Sequence, residues 1–131
     1  MNFYTRKLVK PEDLNSNNTL FGGSLLRWGD EESAIYAIYQ LGTSKCVTKF
    51  MSEINFVSSA KQGDVVEIGI KATAFGRTSL TLTCEVRNKI THKTILTIDK
   101  IVYVSVDDEG KPWPHGKDHI RYSDDRLKEE E

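Results

Sequence analysis

Asp30 stands where a helix would normally carry an apolar residue. The segment SLLRWGDEESAIYAIYQL places Leu26, Ala34, Ile38 and Leu41 on one stripe at helical spacing, with Asp30 in its middle. An unpaired buried carboxylate costs several kcal/mol, on the order of the stability of a small domain. Asp30 therefore needs a partner, a place in a cleft, or a chemical task. A second stripe, Leu25, Trp28, Ile35 and Tyr39, could instead carry the core and leave Asp30 facing water; spacing alone leaves both readings open. Just ahead lies Gly22-Gly23, which lets backbone or ligand approach closely and opens a helix whose first N–H groups are free. Helix packing alone would also account for the pair.

Other chemistries find less support. His115 and His119 stand four apart, a spacing that binds zinc from a helix, but Pro114 and Gly116 break any helix there and His92 is remote, so no metal site is expected. No G-x-S-x-G nucleophile elbow occurs, and no glycine pattern for nucleotide hydrolysis or hydride transfer. Cys46 and Cys84 lie far apart, and Cys84 falls at an apolar strand position. This pattern suits a reduced, cytoplasmic protein with a buried thiol rather than a disulfide scaffold.

The elements that must position Asp30 follow from periodicity. The 131 residues fit one domain, expected over residues 1–116, and Lys+Arg 18 against Asp+Glu 19 gives a net charge of -1. No global field would then draw in nucleic acid or an anionic membrane, and no run of 18 apolar residues or signal-peptide core occurs. Asn2 to Val9 reads as an edge strand ending before Pro11. After the helix the period changes to two. Thr48, Phe50, Ser52, Ile54 and Phe56 should share one strand face, and Val66, Ile68, Ile70 and Ala72 the next, with Gly63-Asp64 turning between them. Leu80, Leu82, Cys84 and Val86 alternate with polar residues in a third strand. In the last strand, Thr94 to Val106, Leu96, Ile98, Val102 and Val104 are expected on one face and Ile101 and Tyr103 on the other. The charged tail, residues 117–131, reads as a frayed or surface helix that the core does not need. One helix with about five antiparallel strands is an α+β arrangement. A single helix cannot cover so long a sheet, so a two-fold dimer is expected to bury the remainder.

The ordered set Leu14, Asn17, Phe21-Gly22-Gly23, Asp30, Val47-Thr48, Phe56, Gly63-Asp64, Gly76-Arg77-Thr78-Ser79 and Val106-Asp107 with Gly110-Lys111-Pro112 resembles the hotdog-fold acyl-CoA thioesterases, in particular the single-domain cytosolic acyl-CoA hydrolases. The resemblance covers roughly residues 6–115. One departure is visible: Ser58-Ser59-Ala60 replaces the proline that usually follows the Phe56 position, which affects the local turn rather than the chemistry.

The resemblance implies a long helix wrapped by a curved antiparallel sheet, a homodimer assembling into tetramers or trimers of dimers, and hydrolysis of acyl-coenzyme A without metal or bound cofactor. It places the catalytic carboxylate at Asp30, as general base on water or as nucleophile. Gly23 N–H becomes the oxyanion donor, aided by the helix dipole. Asn17 orients water or thioester, with Asn15 and Asn18 as close competitors, and it would come from the opposite protomer to Asp30. Thr48 becomes a hydrogen-bonding partner of the carboxylate. Gly76, Arg77, Thr78 and Ser79, otherwise a plain hairpin turn, become the coenzyme A contact, Arg77 reaching a phosphate and Lys61 and Lys111 possible additions. A non-catalytic acyl-CoA or acyl-lipid binding module on the same fold is the competing class. Bulk for an acyl tunnel could come from Trp28, Phe50, Phe56 and Tyr103.

Overall fold

A computed structural model describes residues 1–121. In chain order it contains strand β1 (Asn2–Leu8), a short 3-10 turn (Pro11–Asp13), helix α1 (Gly22–Leu41), and strands β2 (Cys46–Phe56), β3 (Val65–Phe75), β4 (Ser79–Asn88) and β5 (Thr94–Ser105). The strands form one antiparallel sheet in the order β1-β3-β4-β5-β2, with α1 packed against it. This is the helix-on-sheet α+β architecture expected from the pattern. Of the charged tail, residues 122–131 lie outside the described residues; within 117–121, Ile120 packs against the core and the Arg121 N–H donates to Gln40 Oε1 at 2.8 Å.

Helix α1 begins after Phe21, an extended residue with no side-chain cap, and ends at Gly42, whose left-handed φ of 70° lets its N–H reach Ile38 O. The residues it buries are Leu25, Trp28, Gly29, Ser33, Ala37, Gln40 and Leu41. Neither expected stripe is this one. Ile35 and Tyr39 are exposed, while Leu26, Ala34 and Ile38 flank the contact half-buried, and Asp30 lies on that flank. The physical reason is size: Gly29, Ser33 and Ala37 form the line of closest approach to the sheet, and small residues carry little hydrophobic signal. At Gly29 an added Cβ would already stand 3.6 Å from both Cys84 Sγ and Ile98 Cδ1.

The β3 and β4 faces are as expected: Val66, Ile68, Ala72, Leu80, Leu82, Cys84 and Val86 are buried and Ile70 is half-buried. In β5 the alternation changes phase. Leu96 and Ile98 are buried, then Ile101, Tyr103 and Ser105, while Val102 and Val104 are only half-buried. The cause is a register shift against β4 between Leu82 and Cys84, which absorbs the extra Asp99-Lys100 step. A matching correction applies to β2. Its register against β5 shifts between Thr48 and Phe50, so Thr48 pairs with buried Tyr103 while Phe50 pairs with Val102. Thr48 and Phe50 therefore do not share a face, and Met51, opposite buried Ile101, takes the inward place that a strict period of two would give to its neighbours.

Candidate active site

The bulge in β2 decides what surrounds Asp30. By setting Thr48 opposite Tyr103, it turns both hydroxyls toward the helix. Thr48 Oγ1 donates to Asp30 Oδ1 at 3.0 Å, and Tyr103 OH lies 2.8 Å from the same oxygen and 3.0 Å from the Asp30 carbonyl. Asp30 is half-buried, and Oδ2 has no hydrogen-bond partner among the described residues. Tyr103 is almost fully buried. Burial foremost, with the adjacent Asp30 carboxylate adding to it, pushes the phenol well above its ordinary range against a smaller opposing effect of Thr48, so the hydroxyl keeps its proton. Sequence reasoning assigned Tyr103 only as tunnel bulk. The available signal was that a tyrosine at an inward strand position must find a polar partner for its hydroxyl.

At the start of α1, the N–H groups of Gly22 and Gly23 make no hydrogen bond among the described residues, whereas Ser24 and Leu25 both donate to Phe21 O. Gly22 is closely approached by the Phe56 ring and Gly23 by the Phe21 ring, so packing constrains the pair as well. A cleft of about 390 Å³ opens beside them, lined by Asn15, Leu20, Gly22, Leu25, Phe56 and the Val57–Ala60 turn. Asn15 organises the preceding loop: its Oδ1 accepts from Asn17 N at 2.9 Å and Thr19 N at 3.2 Å, and its Nδ2 donates to Thr19 Oγ1 at 3.0 Å. Asn17 is exposed, and no hydrogen bond joins it to Asp30 within the chain among the described residues.

Gly76-Arg77-Thr78-Ser79 forms the β3–β4 turn, closed by Gly76 N–H to Ser79 O at 2.9 Å. It leads into β4 where Leu80 pairs with Tyr103, one ladder step from the carboxylate cluster. The turn is held from behind by the last residue of β5 and the segment after it. Ser105 N–H donates to Thr78 O at 2.8 Å, His115 N–H to Arg77 O at 3.2 Å, and His115 Nε2 lies 2.8 Å from Ser79 O. His115 Nδ1 accepts from Lys117 N–H, so Nε2 is the ring donor. Its role as a clamp on this turn was not legible from spacing. Arg77 is exposed, and Lys111 pairs with Glu109 at 3.7 Å on the surface. A second cleft, about 770 Å³, lies at the other end of α1 between Gly42, Lys45, Asp108, Trp113 and Lys117, away from Asp30.

No group of three His, Cys, Asp or Glu residues able to hold a metal occurs among the described residues. Both cysteines are free; burial pushes the Cys84 thiol up to about 12, so it stays protonated and unreactive. No described helix is long and apolar enough to cross a membrane.

Residues 17–95 match the family model of the thioesterase superfamily. The acyl-CoA thioester hydrolase YciA of Salmonella typhimurium is 32% identical over 115 residues, covering 83% of this chain and 86% of its own. Among solved structures, a hexameric thioesterase from Yersinia pestis superposes with a TM-score of 0.81 at 30% identity, covering 86% of this chain and 93% of that one. An acyl-CoA hydrolase from Staphylococcus aureus, solved with butyryl coenzyme A and coenzyme A, gives 0.77 at 30% identity, covering 85% and 66%. That hydrolase has also been solved with single alanine replacements of an aspartate, a threonine and an asparagine.

Proposed function

The chain belongs to the thioesterase superfamily, and on that premise we propose that it hydrolyses acyl-coenzyme A to a free carboxylic acid and coenzyme A, with Asp30 as the reacting carboxylate. The observation that carries this reading is the carboxylate itself. It sits half-buried on the helix packed against the sheet, one oxygen held by two hydroxyls and the other without a partner among the described residues.

A water beside Asp30 would give up a proton to the carboxylate as its oxygen bonds to the thioester carbonyl carbon. The negative charge that develops on the carbonyl oxygen needs donors aimed at it, and the N–H groups of Gly22 and Gly23, unpaired among the described residues and at the positive end of the helix dipole, are suited to that task. As the tetrahedral adduct collapses, the C–S bond breaks, the thiolate of coenzyme A leaves with the electron pair, and the proton held by Asp30 passes to it. Direct attack by Asp30, through an anhydride that water then opens, uses the same groups. Arg77, Thr78 and Ser79 would meet the coenzyme, Arg77 by its charge on a phosphate.

For the orienting asparagine two residues compete. The aspartate and asparagine replaced in the Staphylococcus aureus hydrolase stand as far apart in its chain as Asp30 and Asn15 stand in this one, whereas Asn17 is two residues nearer. Asn15 also lines the cleft beside Gly22. Both observations favour Asn15, with Asn17 as the exposed alternative.

The test is release of coenzyme A from a panel of acyl-CoA esters, read with a thiol-detecting dye. The native chain should release it and Asp30→Asn should lower turnover about a hundredfold or more, the usual scale for a lost catalytic base, with fold and assembly unchanged. Release at the native rate by the folded variant would remove Asp30 from the mechanism. No release from any ester by the native protein would leave a binding module.

A further inference from the structure

The two oxygens of Asp30 are not equivalent. Oδ1 lies within hydrogen-bond distance of Thr48 Oγ1 and Tyr103 OH, while Oδ2 has no partner among the described residues. We infer that Tyr103 is a positioning residue for the reaction: its hydroxyl, together with that of Thr48, fixes Oδ1 so that Oδ2 is the oxygen presented to water or thioester.

Geometry gives Tyr103 the means. The ring is fixed by burial in the core, and β5 carries it directly opposite Thr48 on β2 and Leu80 on β4. A buried ring has little rotational freedom, so its hydroxyl marks a fixed point in a way that a carboxylate on two rotatable bonds cannot. The same hydroxyl lies 3.0 Å from the Asp30 main-chain carbonyl, so it touches both ends of the residue it orients. Thr48 is exposed in the isolated protomer and less constrained than Tyr103. Donation to Oδ1 also withdraws electron density from that oxygen and leaves Oδ2 as the better proton acceptor. The titratable groups facing Tyr103 are Asp30 on α1 and Cys46 on β2; both oppose its ionisation, so the donor persists over the working pH range.

This inference rests on Asp30 being the reacting carboxylate, and a double-mutant cycle separates the two claims. Tyr103→Phe keeps the ring and removes only the hydroxyl. Its kcat should fall about tenfold, the scale of a hydrogen bond to a charged group, with KM within twofold. Adding Tyr103→Phe to Asp30→Asn should cost no more than twofold beyond Asp30→Asn alone. A native kcat in folded Tyr103→Phe would overturn the role. So would a full tenfold further loss in the double variant, since the ring hydroxyl would then act independently of Asp30. If Asp30→Asn alone retained activity, the functional reading would fail instead, and visibly so. Should Tyr103→Phe not fold, 3,5-difluorotyrosine placed at 103 preserves shape and hydroxyl but ionises at lower pH. Its kcat should then fall on the alkaline side where native activity persists, and an unchanged profile would overturn the assignment.

Discussion

Arg77 projects from the β3–β4 turn into solvent, while its own carbonyl accepts from His115 N–H and that of Thr78 from Ser105 N–H. A contact from such a side chain to a phosphate far from the reacting bond is made equally before and during reaction. Arg77→Ala should therefore raise KM for acyl-CoA several-fold and leave kcat within a few-fold. The control is a short acyl-N-acetylcysteamine thioester, which lacks the nucleotide; equal damage to both substrates would show that Arg77 does not meet it. His115 supports the same turn through Ser79 O, so His115→Ala should also act mainly on KM, which the same pair of substrates would reveal. Asp30 and Arg77 could be singled out as candidates in the sequence, Asp30 as a charge on an apolar stripe and Arg77 through the family resemblance of its turn. Tyr103 and His115 were not legible in these roles. Their partners lie 73 and 36 residues away in the chain, and only the tertiary fold brings them together.

At the scale of elements, what was legible was existence and order, and what was not was phase. A period of two identified every strand, but a single bulged residue moves all later side chains to the other face. That happened between Thr48 and Phe50, and again in β5 around Asp99-Lys100. The consequence falls on the candidate site, because the first shift puts Thr48 across from Tyr103 beside Asp30. The helix was misread for a different reason: its core line runs through Gly29, Ser33 and Ala37, and a count of large apolar residues passes over them. Gly29 permits a direct test. An added Cβ would meet Cys84 and Ile98 at an ordinary contact distance of 3.6 Å, and glycine inside a helix costs about 1 kcal/mol relative to alanine. Gly29→Ala should thus raise stability by about 0.5 to 1 kcal/mol and Tm by a few degrees. Gly29→Leu should overpack the same gap and lower stability by about 1 to 3 kcal/mol. Denaturant unfolding of both variants checks the sign, and destabilisation by the alanine would show that the contact has no slack.

For the whole molecule, the expectation of a dimer rests on what one chain leaves uncovered. β2 is an edge strand, and Val47, Phe50, Phe56 and Val57 on or just after it are exposed, as is Phe21 at the helix start. A long edge with apolar side chains invites pairing with a second copy. The proposed site points the same way. Gly23 precedes Asp30 by seven residues of helix, which at ~1.5 Å per residue puts the proposed oxyanion donor roughly 10 Å along the helix axis from the Asp30 backbone. One thioester carbonyl cannot lie against both within a single protomer, so the Gly23 N–H and the orienting asparagine that work with Asp30 should come from a two-fold mate. Subunit mixing tests this. One parent carries Asp30→Asn, and the other carries Asn17→Ala or Asn15→Ala, whichever lowers turnover. In a composite arrangement each mixed dimer holds one site with both lesions and one site with neither. Activity after exchange should then rise above that of either parent, toward half the native value in fully mixed dimers. If mass spectrometry confirms exchange and no activity returns, carboxylate and asparagine act within one chain, and the roughly 10 Å gap must be closed by a change in the helix start.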